Sequence, residues 1–472
     1  GEEKPVAGIF QSSDERSGAG GVRMRMEEYL ETVTEQIRCT KARELVVGEL
    51  RDHILDQAEA YEAEGMFEEE ALEKAVRDMG DPVETGVSLD RIHRPRMDVG
   101  ILVLIGFISI ASIALHAVLG AYSKEIDGAG YWYLKHHIGY VAAGYVLMLF
   151  VYRLDYSILA RFARPMAAAF LGLVLIGTRL GAVTINGAKL YIMIGPLALF
   201  MPVLMVLYVP VFGGILYAYR GEGLKGMGKI LLWALVPVWI TFRIPAFSQG
   251  VVLWAAFVGL TAIAVWKGWY RVYRPAALSV LGILLAAPPL LFLGAGMLGR
   301  LASYQMVRIQ AFLTNDPDYN YLAVQMRKVL LGSRLFGGNA DNVMEAVRLP
   351  GFNNDYIFVS LISSYGMVAG VLAAALMCGL ILKIFRISIG QRNQLGMILG
   401  CSCGIVYALQ MGISIGMNLG LLPTTSAILP FFSSGGTGIV VSYILLGLVL
   451  SVCRYQNILP DRAQKRAVRS VQ

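Results

Sequence analysis

Ten apolar runs of membrane-spanning length dominate the chain. They cover residues 99–121, 132–152, 158–178, 191–218, 228–245, 250–267, 276–298, 356–382, 395–417 and 428–452. A helix rising about 1.5 Å per residue needs roughly 20 apolar residues to cross a bilayer core. The pattern therefore predicts an all-α polytopic membrane protein. Ahead of the runs, apolar residues recur at helical spacing instead. Leu30, Val33 and Ile37 share one face, Val47, Leu50, Ile54 and Leu55 a second, and Leu72, Ala75, Val76 and Met79 a third. These predict a small soluble helical domain over 27–98, its third helix stopped by Gly80-Asp81-Pro82. Residues 1–26 are polar and rich in Gly and Ser, and are expected to be a disordered arm or a non-native segment.

Charge sharpens this division. Residues 27–98 hold 20 acids and 9 bases, and residues 99–472 hold 10 acids and 28 bases. Lys and Arg cluster in every second connection: Arg153/Arg161/Arg164, Arg220/Lys225/Lys229, Lys267/Arg271/Arg274 and Lys383/Arg386/Arg392. The basic tail over 456–472 continues that set. Short connections on the other side hold only Lys124, Arg179, Lys189 and Arg243. By the positive-inside rule, both termini and the prefix domain are expected in the cytosol. One connection, about 299–355, is long and of mixed charge, with amphipathic stretches that predict a structured segment outside.

The stretch "LLPTTSAILPFFSSGGTG", Leu421 to Gly438, breaks the pattern. Pro423 and Pro430 lack amide protons, so regular helix cannot continue through them. Irregular backbone at membrane depth survives where it lines a cavity or is buried in protein. Thr424, Thr425, Ser426, Ser433, Ser434 and Thr437 supply hydrogen-bonding groups, and Gly435-Gly436 permits close helix approach. An outward-facing cavity is expected here, with the long connection over it.

Composition adds exclusions. At 56% hydrophobic and 16% charged residues, the chain is unlike a soluble protein. Cys39, Cys378, Cys401, Cys403 and Cys453 have no metal or disulfide spacing, and five scattered histidines offer no cluster, so no metal site is expected.

These motifs resemble the bacterial SEDS proteins (shape, elongation, division and sporulation), which include FtsW, RodA and SpoVE. "NLGLLPTTSAILPFFSSGGTG" from Asn418 is similar to the family's C-terminal signature, and Gln410 stands at the spacing of its upstream glutamine. "YQMVRIQAFLTNDPD" from Tyr304, "GSRLFGGN" from Gly332, "NNDYIFVSLISSYGMVAG" from Asn353 and "NGAKLYIMIGP" from Asn186 resemble further family segments, in order, over about 99–455. The stretch Gly48–Pro82 resembles helical prefix domains found ahead of some bacterial permease-like proteins. The SEDS resemblance implies glycosyl transfer from the lipid-linked peptidoglycan precursor lipid II, in the cytoplasmic membrane, with a class B penicillin-binding protein as partner. It implies no nucleic acid and no organic cofactor, and leaves room for a divalent cation.

Several positions depart from the family pattern. Ala246 stands where the family carries its presumed catalytic aspartate, Leu204 where it has a glutamate, and Leu207 where a lysine is usual. Ser248 and Gln249 replace a Gly and a Thr, and Ser363, Ser364 and Tyr365 fill the place of another acid. None of the ten acids after residue 98 lies in a predicted span. Those expected outside are Glu125, Asp127, Asp316, Asp318, Asp341, Glu345 and Asp355, and Asp355 is the best candidate base. Lys189, Arg179, Arg243 and Arg308 are candidate diphosphate contacts, and Gln410, Asn418, Pro423, Ser433, Ser434, Gly435, Gly436 and Thr437 candidate substrate contacts. Three functions remain in contention: a lipid II polymerase with an altered site, a non-catalytic relative that scaffolds or regulates a transpeptidase, and a lipid transporter. The absence of acids from the spans weighs against an ion-coupled transporter.

Overall fold

The computed structural model describes residues 14–93, 97–126, 128, 130–180, 182–185, 188–194, 197–244, 246–300, 306, 321–391 and 393–455. The chain forms two compact units, the larger spanning Asp98–Arg454.

The smaller unit contains four helices: α1 (Asp14–Gln36), α2 (Thr40–Ala63), α3 (Glu68–Asp78) and α4 (Pro82–His93). Leu30, Val33, Ile37, Ile54, Leu72 and Ala75 form its core, as the periodicity predicts. Leu55 is a correction: it is 42% exposed, and Val46 takes an inward position on α2 instead. Two further expectations change. Helix α1 begins at Asp14, so the arm expected over 1–26 is partly helical. Gly80-Asp81-Pro82 ends α3 but also starts α4, because a proline in the first turn of a helix has no N–H to leave unpaired. Asp90 of α4 then reaches back to accept from the Arg38 amide at 2.9 Å.

Asp98 opens the larger unit, accepting from the Ile101 amide at 2.9 Å and pairing with Lys383 Nζ at 2.8 Å. Among the described residues, ten helices are long and apolar enough to cross a membrane. The first three are α5 (Val99–Ile126), α6 (Trp132–Arg153) and α7 (Ile158–Leu180). The run at 191–218 is not one helix. Strands β1 (Ala182–Ile185), β2 (Ala188–Ile194) and β3 (Leu197–Phe200) form an antiparallel sheet in the order β1-β2-β3. The span follows as α8 (Met201–Leu204), a 3-10 turn and α9 (Tyr208–Ala218). The next are α10 (Leu224–Arg243), α11 (Phe247–Trp266) and α12 (Arg274–Met297).

The long connection carries α13 (Tyr321–Leu331) and α14 (Ala340–Val347). The run at 356–382 is also split, into α15 (Ile357–Tyr365) and α16 (Met367–Ile389). Gly366 between them has φ 94°, a conformation L side chains avoid. The connection docks on that break: Gly337 N donates to Tyr365 O at 3.0 Å and Met367 N to Arg334 O at 2.9 Å. The last spans are α17 (Gln394–Asn418) and α18 (Gly436–Arg454), so residues 428–435 of the predicted tenth span are not helical. Helices α9 and α18 are the most enclosed, with Tyr208, Phe212 and Tyr443 fully buried. Helix α12 lies on α11 with most of its apolar surface exposed.

Candidate substrate cavity

The site is built around Asn418, the last residue of α17. It is fully buried and uses its whole amide. Its Oδ1 accepts from Val359 N at 3.1 Å, and its Nδ2 donates to Asp355 O at 2.9 Å and Ser414 O at 2.8 Å. One side chain thus ties the end of α17 to the start of α15. Ser433 makes the matching tie from the other strand of chain: its Oγ donates to Asn354 O at 2.8 Å and accepts from Leu429 N at 2.9 Å. Ser434 N donates to Asn353 O at 2.8 Å. Between them Phe431 sits at φ 66°, rare for a bulky residue, held between the rings of Tyr407 and Tyr443. The signature segment is therefore a clamp on residues 353–355.

What it clamps is a carboxylate. Asp355 is half-buried, with Asn354 Nδ2 at 3.1 Å and Ser426 Oγ at 3.2 Å from its Oδ1. Burial dominates and pushes its pKa up to about 6, against the opposing pull of the Ser426 hydroxyl and the Ala427 backbone. The carboxyl is still mostly ionised at neutral pH, and is a stronger base than a solvated one. Across from it, Tyr191 of β2 has its pKa raised, first by burial and then by the Asp355 charge.

Asp355 faces a cavity of about 1910 Å³, roughly twice the upper end for drug-sized ligands. Its walls include Tyr140, Tyr191, Phe200, Pro289, Pro423, Thr425, Ser426, Gly435, Gly436 and Thr437. Thr437 Oγ1 accepts from Phe200 N at 2.9 Å, fixing the end of β3 to the start of α18. Gly436 is needed as glycine, since a Cβ there would meet the Tyr140 ring at 2.6–2.9 Å. The departing positions Leu204, Leu207, Ala246, Ser248 and Gln249 also line this cavity. The fold thus gathers these positions on one wall, and none of the five carries an ionisable side chain.

The sequence candidates separate. Asp355, Pro423, Gly435, Gly436 and Thr437 reach the cavity. Asn418, Ser433 and Ser434 hold its frame from behind, and Gln410 is buried inside α17. Arg179 is exposed at the end of α7. Arg243 lies 5.9 Å from the Trp239 ring, away from the cavity walls. Lys189 is on β2, its side chain outside the described residues, as is all of Arg308. Among the described wall residues the basic side chains are instead Lys135 and His136 of α6, which sequence reasoning missed. The signal was there, as Lys-His-His in the first turns of an otherwise apolar span. Among the described residues no cluster of three or more His, Cys, Asp and Glu side chains is arranged as a metal site.

Ten spans, a broken helix pair and a proline-rich clamp around one large cavity define a polytopic membrane protein with a large internal chamber. The chain belongs to the FtsW/RodA/SpoVE family, whose profile, described as cell cycle protein, matches residues 96–458. The probable peptidoglycan glycosyltransferase FtsW of Thioalkalivibrio sulfidiphilus is 28% identical over 81% of this chain and 94% of its own length. Stage V sporulation protein E of Bacillus subtilis is 22% identical over 76% and 96%. A chain of a peptidoglycan synthase complex shares the fold, with TM-score 0.61 and 22% identity over 76% of this chain and 99% of its own. So does the rod shape determining protein RodA of Thermus thermophilus, with TM-score 0.52 and 18% identity over 76% and 97%. The chain is thus a polytopic membrane protein of that family.

Proposed function

We propose that the chain binds lipid II in this cavity and extends glycan strands slowly, with Asp355 as the base. The observation that carries this is the single carboxylate among the described cavity walls, clamped by the signature segment and pushed toward neutral pKa. In the reaction the acceptor hydroxyl gives its proton to the Asp355 carboxylate, and its oxygen forms a bond to the donor's anomeric carbon. The bond from that carbon to the phosphate oxygen breaks, and the lipid diphosphate leaves with the electron pair. Ala246 cannot take a proton, so base help comes from elsewhere on the wall or not at all. The positive-inside pattern supports cytosolic termini and a cavity facing the wall. The peptidoglycan synthase complex among the structural relatives supports a class B penicillin-binding protein as partner.

The test uses purified protein in proteoliposomes with lipid II, reading strand length and rate. Asp355→Asn is expected to lower the rate by ~10²–10⁴, the usual worth of general-base help. A second reading, a non-catalytic scaffold, is favoured by Leu204, Leu207 and Ala246 all lining the cavity. Precursor binding without any strand synthesis by the native protein selects that reading. Long strands at a rate indifferent to Asp355→Asn refute both.

A further inference from the structure

The two ends of the chain carry opposite charge. Residues 27–98 hold 20 acids against 9 bases, while residues 456–472 hold the bases Arg462, Lys465, Arg466 and Arg469 against one acid, Asp461. Tyr455, the last described residue, belongs to the smaller unit and packs against its hydrophobic core. The chain therefore enters its basic tail from a seat on the acidic unit. The stretch from Tyr455 to Arg462 reaches at most about 23 Å when extended, roughly two helix diameters. The bases of the tail thus stay within range of that unit's surface. Over so short a tether, weak contacts act at an effective concentration on the order of millimolar.

Helix α2 offers the matching face. Glu49, Asp52, Asp56 and Glu59 recur three and four apart, the spacing of one side of a helix. Asp52, Asp56 and Glu59 are exposed, and Val46, Ile54 and Ala58 fill the opposite, inward side. The described arginines of α2 turn away from this row: Arg43 Nε donates to Ile37 O at 2.6 Å, and Arg51 pairs with Glu27 at 2.7 Å. Like charges at this spacing repel, and a cationic segment laid along them removes that cost. Arg462, Lys465, Arg466 and Arg469 have the same three-and-four spacing. Wound as a helix, they too share one side. Val468 would border that basic side as Leu55, 42% exposed, borders the acidic one.

We propose that residues 462–471 dock as a cationic helix along the acidic face of α2, so that the prefix unit's partner is a segment of its own chain. A basic segment following a membrane span also suits an anionic lipid surface. The seat of Tyr455 on the prefix core favours the nearer, protein-borne acids. A separate basic partner could reach those acids only by displacing the tail.

The experiment places a nitroxide at Ser470→Cys in the full chain, with the exposed Cys378 replaced by Ser, in nanodiscs of zwitterionic lipid. The immobilised fraction of its spectrum reports docking. The native tail is expected to be immobilised at low salt and released as salt rises, since exposed charges are screened. Asp52→Asn, Asp56→Asn and Glu59→Gln together lower the ratio of immobile to mobile label by about tenfold, the summed worth of three exposed pairs. Glu28→Gln, Glu31→Gln and Glu35→Gln on α1 remove the same charge elsewhere and leave the ratio unchanged. Asp52→Lys, Asp56→Lys and Glu59→Lys release the tail, and adding Arg462→Glu, Lys465→Glu and Arg466→Glu restores it. That rescue separates lost pairing from a damaged fold. A native tail that is mobile in zwitterionic nanodiscs and immobilised only when anionic lipid is added overturns the proposal in favour of the membrane surface. Equal release by the α1 and α2 neutral sets, no release by the α2 set, or no rescue by the swapped pair overturns docking on this face.

Discussion

Asp355 is held in an environment that changes its chemistry, and the consequences can be measured. Burial raises its pKa to about 6. The base form is the ionised one, so strand synthesis is expected to climb as pH rises through about 6 and level off above about 7. A rate flat from pH 5 to 8 would remove Asp355 from the mechanism. Stability has the opposite sign. A carboxyl whose pKa is raised on folding binds its proton more tightly in the folded chain. Its contribution therefore falls as pH rises between the unfolded value of about 3.9 and about 6. Asp355→Asn removes the buried charge, and the variant's thermal midpoint at pH 8 is expected at or above that of the native protein, even as activity drops. Asp355 was legible because it lies in a recognisable segment beside a span end. Lys135 and His136 were not, because a window that averages hydropathy over a span absorbs two polar residues at its edge. Arg179 and Arg243, which sequence reasoning chose, sit at the ends of α7 and α10 off the described cavity wall, and proximity in space is a property of the fold.

Apolar runs located the membrane helices well, since 18 or more such residues have few alternatives in a bilayer. The errors came where a run hides a break. Residues 191–194 and 197–200 are apolar enough to pass for a helix start, yet they belong to β2 and β3, because apolar content alone does not distinguish a strand from a helix. Gly366 divides the eighth run because φ 94° ends one helix and redirects the chain. A Cβ at that position would also approach Leu335 O at 2.6 Å. Gly366→Ala is expected to cost about 2–3 kcal/mol, visible as a lower thermal midpoint and as faster proteolysis of the 334–337 connection. An unchanged midpoint would mean the break has other support. The signature segment was read as lining a cavity throughout, but it divides by side-chain direction. Thr425 faces the cavity, while Ser433 is 3% exposed and bonded to the Asn354 backbone. In a background lacking the exposed Cys378, Thr425→Cys is expected to react with a membrane-impermeant thiol reagent and Ser433→Cys to resist it. Equal labelling of the two would contradict the clamp.

At the scale of the whole molecule, the two units differ in composition as well as in contacts. The prefix unit has its own buried core of Leu30, Val33, Ile37 and Ile54. A fragment of residues 14–97 is expected to be monomeric and helical by circular dichroism, with a cooperative melt; a random-coil spectrum would show that it folds only on the intact chain. The membrane unit has a different economy of contacts. Its least enclosed helix, α12, carries Pro289 on the cavity wall and turns Ile283, Leu290 and Leu291 outward. A wall of this kind separates the chamber from acyl chains by one helix. A long-tailed ligand can then arrive by sliding sideways within the leaflet, its tail never leaving hydrocarbon. Occupancy would follow the ligand's mole fraction among lipids rather than its concentration in water, and crowding of the bilayer, more than stirring of the solution, would set the pace of supply.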